Sequence, residues 1–274
     1  IVPLARLGFG FLEIGSVTAQ VSHGNAQPRL FRLPTDRGII NRMGLNNHGA
    51  QSIKERISNH RLDLPLFINI AKTPDPELEG DLAVADYCES IRTMMSIADV
   101  LVINISCPNT GDGRTFEDPS ALEALLRGVH EVIGNDGPPY LVKVSPDLDE
   151  AQLSKIVELA ERYGASGYTA TNTSVSRENL KTDTQIITDI GAGGLSGFPI
   201  HEKSLRTVKY LRSMTELPIV GVGGIMGTKQ AQSFLDAGAN LVQVYSGFIY
   251  QGPRIISEIC KAKFPAESSK SLSA

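Results

Sequence analysis

Tryptophan is absent from these 274 residues, aromatic side chains make up only 6% of them, and there are just three cysteines and five histidines. Cys88, Cys107 and Cys260 are too few and too scattered for a disulfide framework, and no Cys-x-x-Cys or Cys/His cluster offers structural zinc. That usage suits a reducing, cytoplasmic compartment. No apolar run approaches the roughly 20 residues that span a bilayer, and no basic-then-apolar leader opens the chain. Charge of one sign is also missing: 26 Lys and Arg against 30 Asp and Glu leave a formal net charge of -4. Without a basic field or a dense Lys/Arg run, nucleic acid is not an expected partner. The histidines lack metal-ligand spacing, and His-Glu-x-x-His and Gly-x-Ser-x-Gly are both absent, which sets aside zinc hydrolysis and serine esterase chemistry. Gly8-Phe9-Gly10 lacks the third glycine of a dinucleotide-binding turn and precedes its strand instead of following it.

What is present, 41% hydrophobic and 20% charged residues, describes a globular chain long enough for one large α/β barrel or two modest domains. Seven short apolar, β-branched runs recur: Phe11 to Ile14, Leu66 to Ile70, Val100 to Ile105, Leu141 to Val144, Tyr168 to Ala170, Ile219 to Val222 and Leu241 to Val244. Helical periodicity fills the gaps at Asp81 to Ile97, Pro119 to Ile133, Asp149 to Tyr163, Glu202 to Met214 and Thr228 to Ala237. Asp149 and Thr228 read as N-caps, Gly164 and Gly238 as helix stops. Seven β-α units suit either a doubly wound open sheet or an eight-stranded barrel short of one strand. Polar residues follow strand after strand, whereas an open sheet would gather them at one switch point, so the barrel is favoured. The expectation is a single domain over residues 1–274 with a disordered tail from about residue 265. The opening Ile1-Val2-Pro3-Leu4-Ala5-Arg6-Leu7 reads as the end of a helix under way, suggesting a truncated N-terminus. The long Gly, Asn, Pro and Arg-rich connections Gln20 to Asn47 and Arg177 to Phe198 read as functional loops.

Glycines cluster after the last two strands, in Gly221-Val222-Gly223-Gly224-Ile225 and Tyr245-Ser246-Gly247, where barrels commonly hold phosphate; tight βα turns are the plainer reading. Lys143 ends an apolar run and is placed to project into the barrel mouth, where a cation stabilises a developing anion; a snorkelling strand-end lysine is the alternative. Cys107 follows a strand in Asn104-Ile105-Ser106-Cys107-Pro108-Asn109-Thr110, and a thiol ionising near pH 8.5 suits general-base or nucleophilic work. Cys88 and Cys260 read as small buried hydrophobes on helices. Asn41, Asn104, Asn109 and Asn172 fall on one rim, each offering a donor and an acceptor to a planar ring with alternating N–H and C=O edges.

Longer motifs carry a resemblance. Gly10-Phe11-Leu12-Glu13-Ile14-Gly15-Ser16-Val17-Thr18, Pro28-Arg29-Leu30-Phe31-Arg32-Leu33, Ile40-Asn41-Arg42-Met43-Gly44-Leu45-Asn46-Asn47, the Cys107 segment, Ala170-Thr171-Asn172-Thr173 and Gly193-Gly194-Leu195-Ser196-Gly197 together resemble dihydroorotate dehydrogenase over about nine tenths of the chain. The resemblance implies an FMN-dependent (β/α)8 barrel that oxidises dihydroorotate to orotate in pyrimidine synthesis. It assigns FMN contacts to Ser16, Asn69, Asn104, Lys143, Thr171, Gly197, Gly224, Tyr245 and Ser246. Substrate would be held by Asn41, Asn104, Asn109, Asn172 and Thr173, with backbone help from Arg42, Met43, Gly44 and Leu45, and Cys107 would be the base.

Three departures stand beside the likeness. The family's opening strand, with its FMN loop and substrate lysine, has no counterpart here. The motifs around Arg29 and Asn41 resemble the membrane-associated, quinone-linked class, whose base is serine, whereas Cys107 matches the base of the soluble class. The N-terminal helical pair of the quinone-linked class is also without a counterpart, so contact with quinone and membrane would involve sequence outside this chain. The preferred reading is a quinone-linked enzyme, with fumarate or NAD as other acceptors. Another FMN barrel that reduces a pyrimidine, and a non-catalytic flavin- or phosphate-binding barrel, are the rival readings.

Overall fold

The computed structural model describes residues 1–106, 116 and 118–262. In chain order these form α1 (Val2–Ala5), β1 (Leu12–Val17), β2 (Leu30–Leu33), β3 (Gly38–Asn41), α2 (Ala50–Ser58), β4 (Leu66–Ile70), α3 (Gly80–Met94), β5 (Val100–Asn104), α4 (Pro119–Ile133) and β6 (Tyr140–Val144). There follow α5 (Glu150–Arg162), β7 (Gly167–Ala170), α6 (Thr184–Ile190), β8 (Gly194–Gly197), α7 (His201–Met214), β9 (Ile219–Val222), α8 (Thr228–Asp236), β10 (Leu241–Gln243), α9 (Ser246–Gln251) and α10 (Arg254–Lys261).

Seven strands pair in parallel in the order β1-β4-β5-β6-β7-β9-β10 and curl into an incomplete (β/α)8 barrel. These are the seven runs read from the sequence. Their outward residues, such as Ile68, Leu101, Val142 and Tyr168, pack on the helices, where Leu122, Leu125, Leu126, Val129 and Ile133 of α4 recur at helical spacing. Inside, Phe67, Val102, Leu141 and Val220, with Phe11 against them, form an apolar floor. Side chains alternate along a strand, so the next inward residue on four of these strands is Glu13, Asn69, Asn104 or Lys143. The floor therefore gives way to a polar layer one step toward the C-terminal ends.

Helix boundaries follow local chemistry. Asp149 accepts from the Gln152 N–H while the Gln152 side chain accepts from the Asp149 N–H, a reciprocal cap that fixes the start of α5. Gly164 and Gly238 follow the C-caps of α5 and α8 with φ of 82° and 99°. Thr228, expected as an N-cap, is instead the first residue of α8; Gly227 takes the cap position and no side chain caps it. Cys88 is buried on α3 as expected, but Cys260 is exposed because it sits on the outer face of α10.

The two long connections are not plain loops. They supply β2, β3 and β8, which form a three-stranded antiparallel sheet over the barrel mouth, pinned by Leu33, Ile40, Leu195 and Ile200. The expected tail from about residue 265 falls within 263–274, outside the described residues.

Candidate active site

A cavity of about 430 Å³ opens at the C-terminal ends of the barrel strands, and each of the seven strands, or for β7 the residues directly after it from Thr171, contributes to its wall. One side of it is a continuous chain of hydrogen bonds. Lys143 Nζ donates to Glu13 Oε1 at 2.8 Å, and Asn69 Nδ2 donates to the same oxygen at 2.8 Å. Ser16 Oγ donates to Asn69 Oδ1 at 2.7 Å, Asn104 Nδ2 to Ser16 Oγ at 3.3 Å, and Asn172 Nδ2 to Asn104 Oδ1 at 3.2 Å. Asn172 Nδ2 also reaches the carbonyl of Ser106, at 2.5 Å. The result is a wall of amides and hydroxyls with one ammonium, backed by an apolar floor.

The opposite side is built from backbone and small residues. Gly197, Gly223 and Gly224 adopt φ of 89°, 138° and 66°, and Ser246 Oγ lies 2.9 Å from Ser196 Oγ. A Cβ on Gly224 would fall 2.7 Å from His201 Cβ and 2.8 Å from the Gly197 carbonyl, so only glycine fits this approach of two loops. Thr171 turns its hydroxyl toward Ser204 of α7, 2.7 Å away, and its N–H toward the Val222 carbonyl, tying β7 to its neighbours. Tyr245 lines the cavity yet remains 66% exposed.

Carboxylates hold the connections above the mouth. Asp147 accepts from Ser174 Oγ at 2.6 Å, from the Val175 N–H at 2.7 Å and from Lys203 Nζ at 2.5 Å. Burial pushes its carboxyl up, but those hydrogen bonds from Lys203, Ser174 and Val175 more than offset burial and leave it below its ordinary value. Asp36 accepts from the N–H groups of Lys181 and Thr182 and from the Thr182 hydroxyl; here too burial raises the carboxyl and these bonds bring it lower. Arg177 spends its guanidinium on the carbonyls of Ser174, Val175, Ser176 and Gly193.

Of the residues singled out in the sequence, Ser16, Asn41, Met43, Leu45, Asn69, Asn104, Lys143, Thr171, Asn172, Thr173, Gly197, Gly224, Tyr245 and Ser246 all line this one cavity. Arg42 and Gly44 do not. The Arg42 side chain lies 4.6 Å over the Phe31 ring and donates to the carbonyls of Ile190 and Ala192, while its N–H is taken by Arg29. The Gly44 carbonyl accepts from Ser22 at 2.9 Å. Cys107 and Asn109 lie outside the described residues. Glu13, Ser196 and Gln243 belong to the wall but were not read from the sequence. A larger groove of about 990 Å³ crosses the N-terminal ends of α3, α4 and α5, and none of the singled-out residues lines it.

Residues 2–263 match the family model described as dihydroorotate dehydrogenase. The chain belongs to that family. A dihydroorotate dehydrogenase (quinone) of Clavibacter michiganensis is 43% identical over 258 residues, covering 92% of this chain and 74% of the relative. One from Nocardia farcinica is 44% identical over 250 residues, covering 90% and 67%. Among solved structures, dihydroorotate dehydrogenase from Eimeria tenella in complex with ferulenol aligns with a TM-score of 0.83 at 30% identity, over 94% of this chain and 75% of that one. Against this family, the seven parallel strands and the polar wall at their C-terminal ends are a dihydroorotate dehydrogenase barrel and its mouth.

Proposed function

We propose that the chain oxidises dihydroorotate to orotate, with FMN in the 430 Å³ cavity and electrons passed on to a quinone. The observation that carries this reading is the convergence of one ammonium, a row of amides and a glycine-lined end in a single cavity of the family's barrel. The donor set fits a flavin. A fused ring with alternating N–H and C=O edges matches the wall from Asn69 through Ser16 and Asn104, and Lys143 supplies a cation where reduction places negative charge. Gln243 Oε1 is buried without a hydrogen-bond partner among the described residues, an acceptor left for a ligand N–H. Gly197, Gly224 and Ser246, with Tyr245 beside them, suit the phosphate and ribityl chain, because glycine lets backbone N–H groups approach closely.

When bound, FMN supplies the acceptor for the hydride that leaves substrate C6. The chain supplies the rest. Asn41, Asn104, Asn109 and Asn172, with Thr173, hold the pyrimidine edges so that C5 faces the base. Cys107 Sγ, as thiolate, takes the C5 proton, and the electron pair of that bond closes the C5–C6 double bond as the hydride departs. The quinone acceptor is supported by the relatives' names, and such an acceptor fits a protein lying peripherally on a membrane. No helix among the described residues is long and apolar enough to cross one.

The test is anaerobic. Dihydroorotate added to FMN-loaded protein is expected to bleach the oxidised flavin band, and a soluble quinone to restore it faster than fumarate or NAD. Cys107→Ala should slow bleaching by about 10²–10⁴-fold, the range for loss of a positioned base. In Cys107→Ser the pH at which the rate levels off should move up, since a hydroxyl ionises far above a thiol. Flavin that stays oxidised with dihydroorotate but, once reduced with dithionite, is reoxidised by a pyrimidine would replace this reading with a pyrimidine reductase.

A further inference from the structure

Glu13 has no part in the chemistry above, yet it accepts three hydrogen bonds from wall side chains and is the only carboxylate lining the cavity among the described residues. Its Oε1 accepts from both Lys143 and Asn69 at 2.8 Å, and its Oε2 accepts from Gln243 Nε2 at 3.1 Å. Its side chain is 6% exposed and that of Lys143 14%. Removing a carboxylate this far from water is costly unless opposite charge and donors compensate, and here all three partners do so. Lys143, in turn, finds its only protein partner among the described residues in Glu13. An ammonium has three donors, so two remain for a ligand in the cavity.

We propose that Glu13 is a positioning residue for Lys143: it anchors the ammonium at the cavity wall and offsets its charge, so that the pair sets the reduction potential of a bound flavin. The inference rests on the FMN reading. Uptake of two electrons makes the ring more negative, which a nearby cation favours and a nearby carboxylate opposes. The Lys143 field is therefore partly cancelled at its source, and the cancellation is removable. Glu13→Gln keeps the shape and an acceptor oxygen while deleting the charge.

The experiment measures the midpoint potential of FMN bound to the wild type, Glu13→Gln, Lys143→Met and the double variant by equilibration with a reference dye. Glu13→Gln should raise the reduction equilibrium constant at least tenfold, a shift of about 30 mV for a two-electron couple. Lys143→Met should move it the opposite way, and the two changes should not add, because each removes the other's partner. A Glu13→Gln potential equal to or below that of the wild type overturns the proposal. Thermal unfolding without flavin gives a second readout. Lys143→Met leaves the buried carboxylate unpaired and should lower Tm sharply, and adding Glu13→Gln to it should recover part of the loss. A double variant no more stable than Lys143→Met overturns the pairing. Wild type that takes up no FMN would overturn the flavin reading and this one together; a loaded wild type with an unmoved Glu13→Gln potential overturns this one alone.

Discussion

Gly224 is a position where a single added methyl group is costly. With φ at 66° and both His201 and the Gly197 carbonyl within 3 Å of an added Cβ, Gly224→Ala forces a left-handed alanine and a retreat of His201. The left-handed backbone costs roughly 1–2 kcal/mol and the overpacking another 1–3 kcal/mol. The expected outcome is a loss of about 2–5 kcal/mol in denaturant titration and an FMN affinity at least tenfold weaker by equilibrium dialysis. An unchanged FMN affinity would remove this loop from the phosphate end of the site. Residue-scale legibility was uneven for a physical reason. Lys143, Asn69 and Asn104 stood out because a polar side chain at the end of an apolar run is conspicuous. Glu13 occupies the equivalent inward place, two residues after Phe11 as Asn69 is two after Phe67, but it lies early in β1 and its partners come from β4, β6 and β10. Stepping by two from the apolar floor would have found it; reading only strand ends did not.

Elements of two kinds make up the molecule, and only one kind announces itself. The barrel strands are continuous apolar runs because helices cover one side and the barrel interior the other, and all seven were legible. The cap strands β2, β3 and β8 are four residues each, with an arginine or glycines inside them and a satellite cluster beneath them, so their segments looked like loops. Helix α6 has no buried residue and α2 only two, which is why neither showed a clear apolar stripe. What fixes the connection around α6 is charge. The Asp147 carboxyl lies below its ordinary value of 3.8 in the folded protein, so the unfolded chain binds more protons and stability rises with pH across that window. Its contribution is complete above about pH 4 and is lost as pH falls through the folded value; Asp36 behaves in the same sense. Asp147→Asn should accordingly flatten the acid limb of an unfolding-versus-pH curve and cost about 1–3 kcal/mol at neutral pH. An acid limb as steep as that of the wild type would mean that Asp147 does not hold this connection.

At the scale of the whole molecule, the sheet is a barrel with a seam. β1 and β10 end the strand order, and Gln243 reaches across to Glu13 at 3.1 Å where backbone pairing stops. Amide exchange should rank the strands by this geometry: β5, β6 and β7, paired on both sides, slowest, and β10, three residues long and paired only with β9, fastest. Equal protection across all seven strands would mean that the seam is closed in solution.

The cap has a further consequence, in time instead of space. Asn41 and Gly194 are paired across 153 positions, whereas neighbouring barrel strands pair across at most 54, as Leu12 does with Leu66. Contacts that close such long loops carry an entropic cost that local pairs avoid. The barrel wall can therefore grow unit by unit as the chain is made, but the roof over the cavity waits for residues 194–197, so competence to retain a ligand comes late in folding.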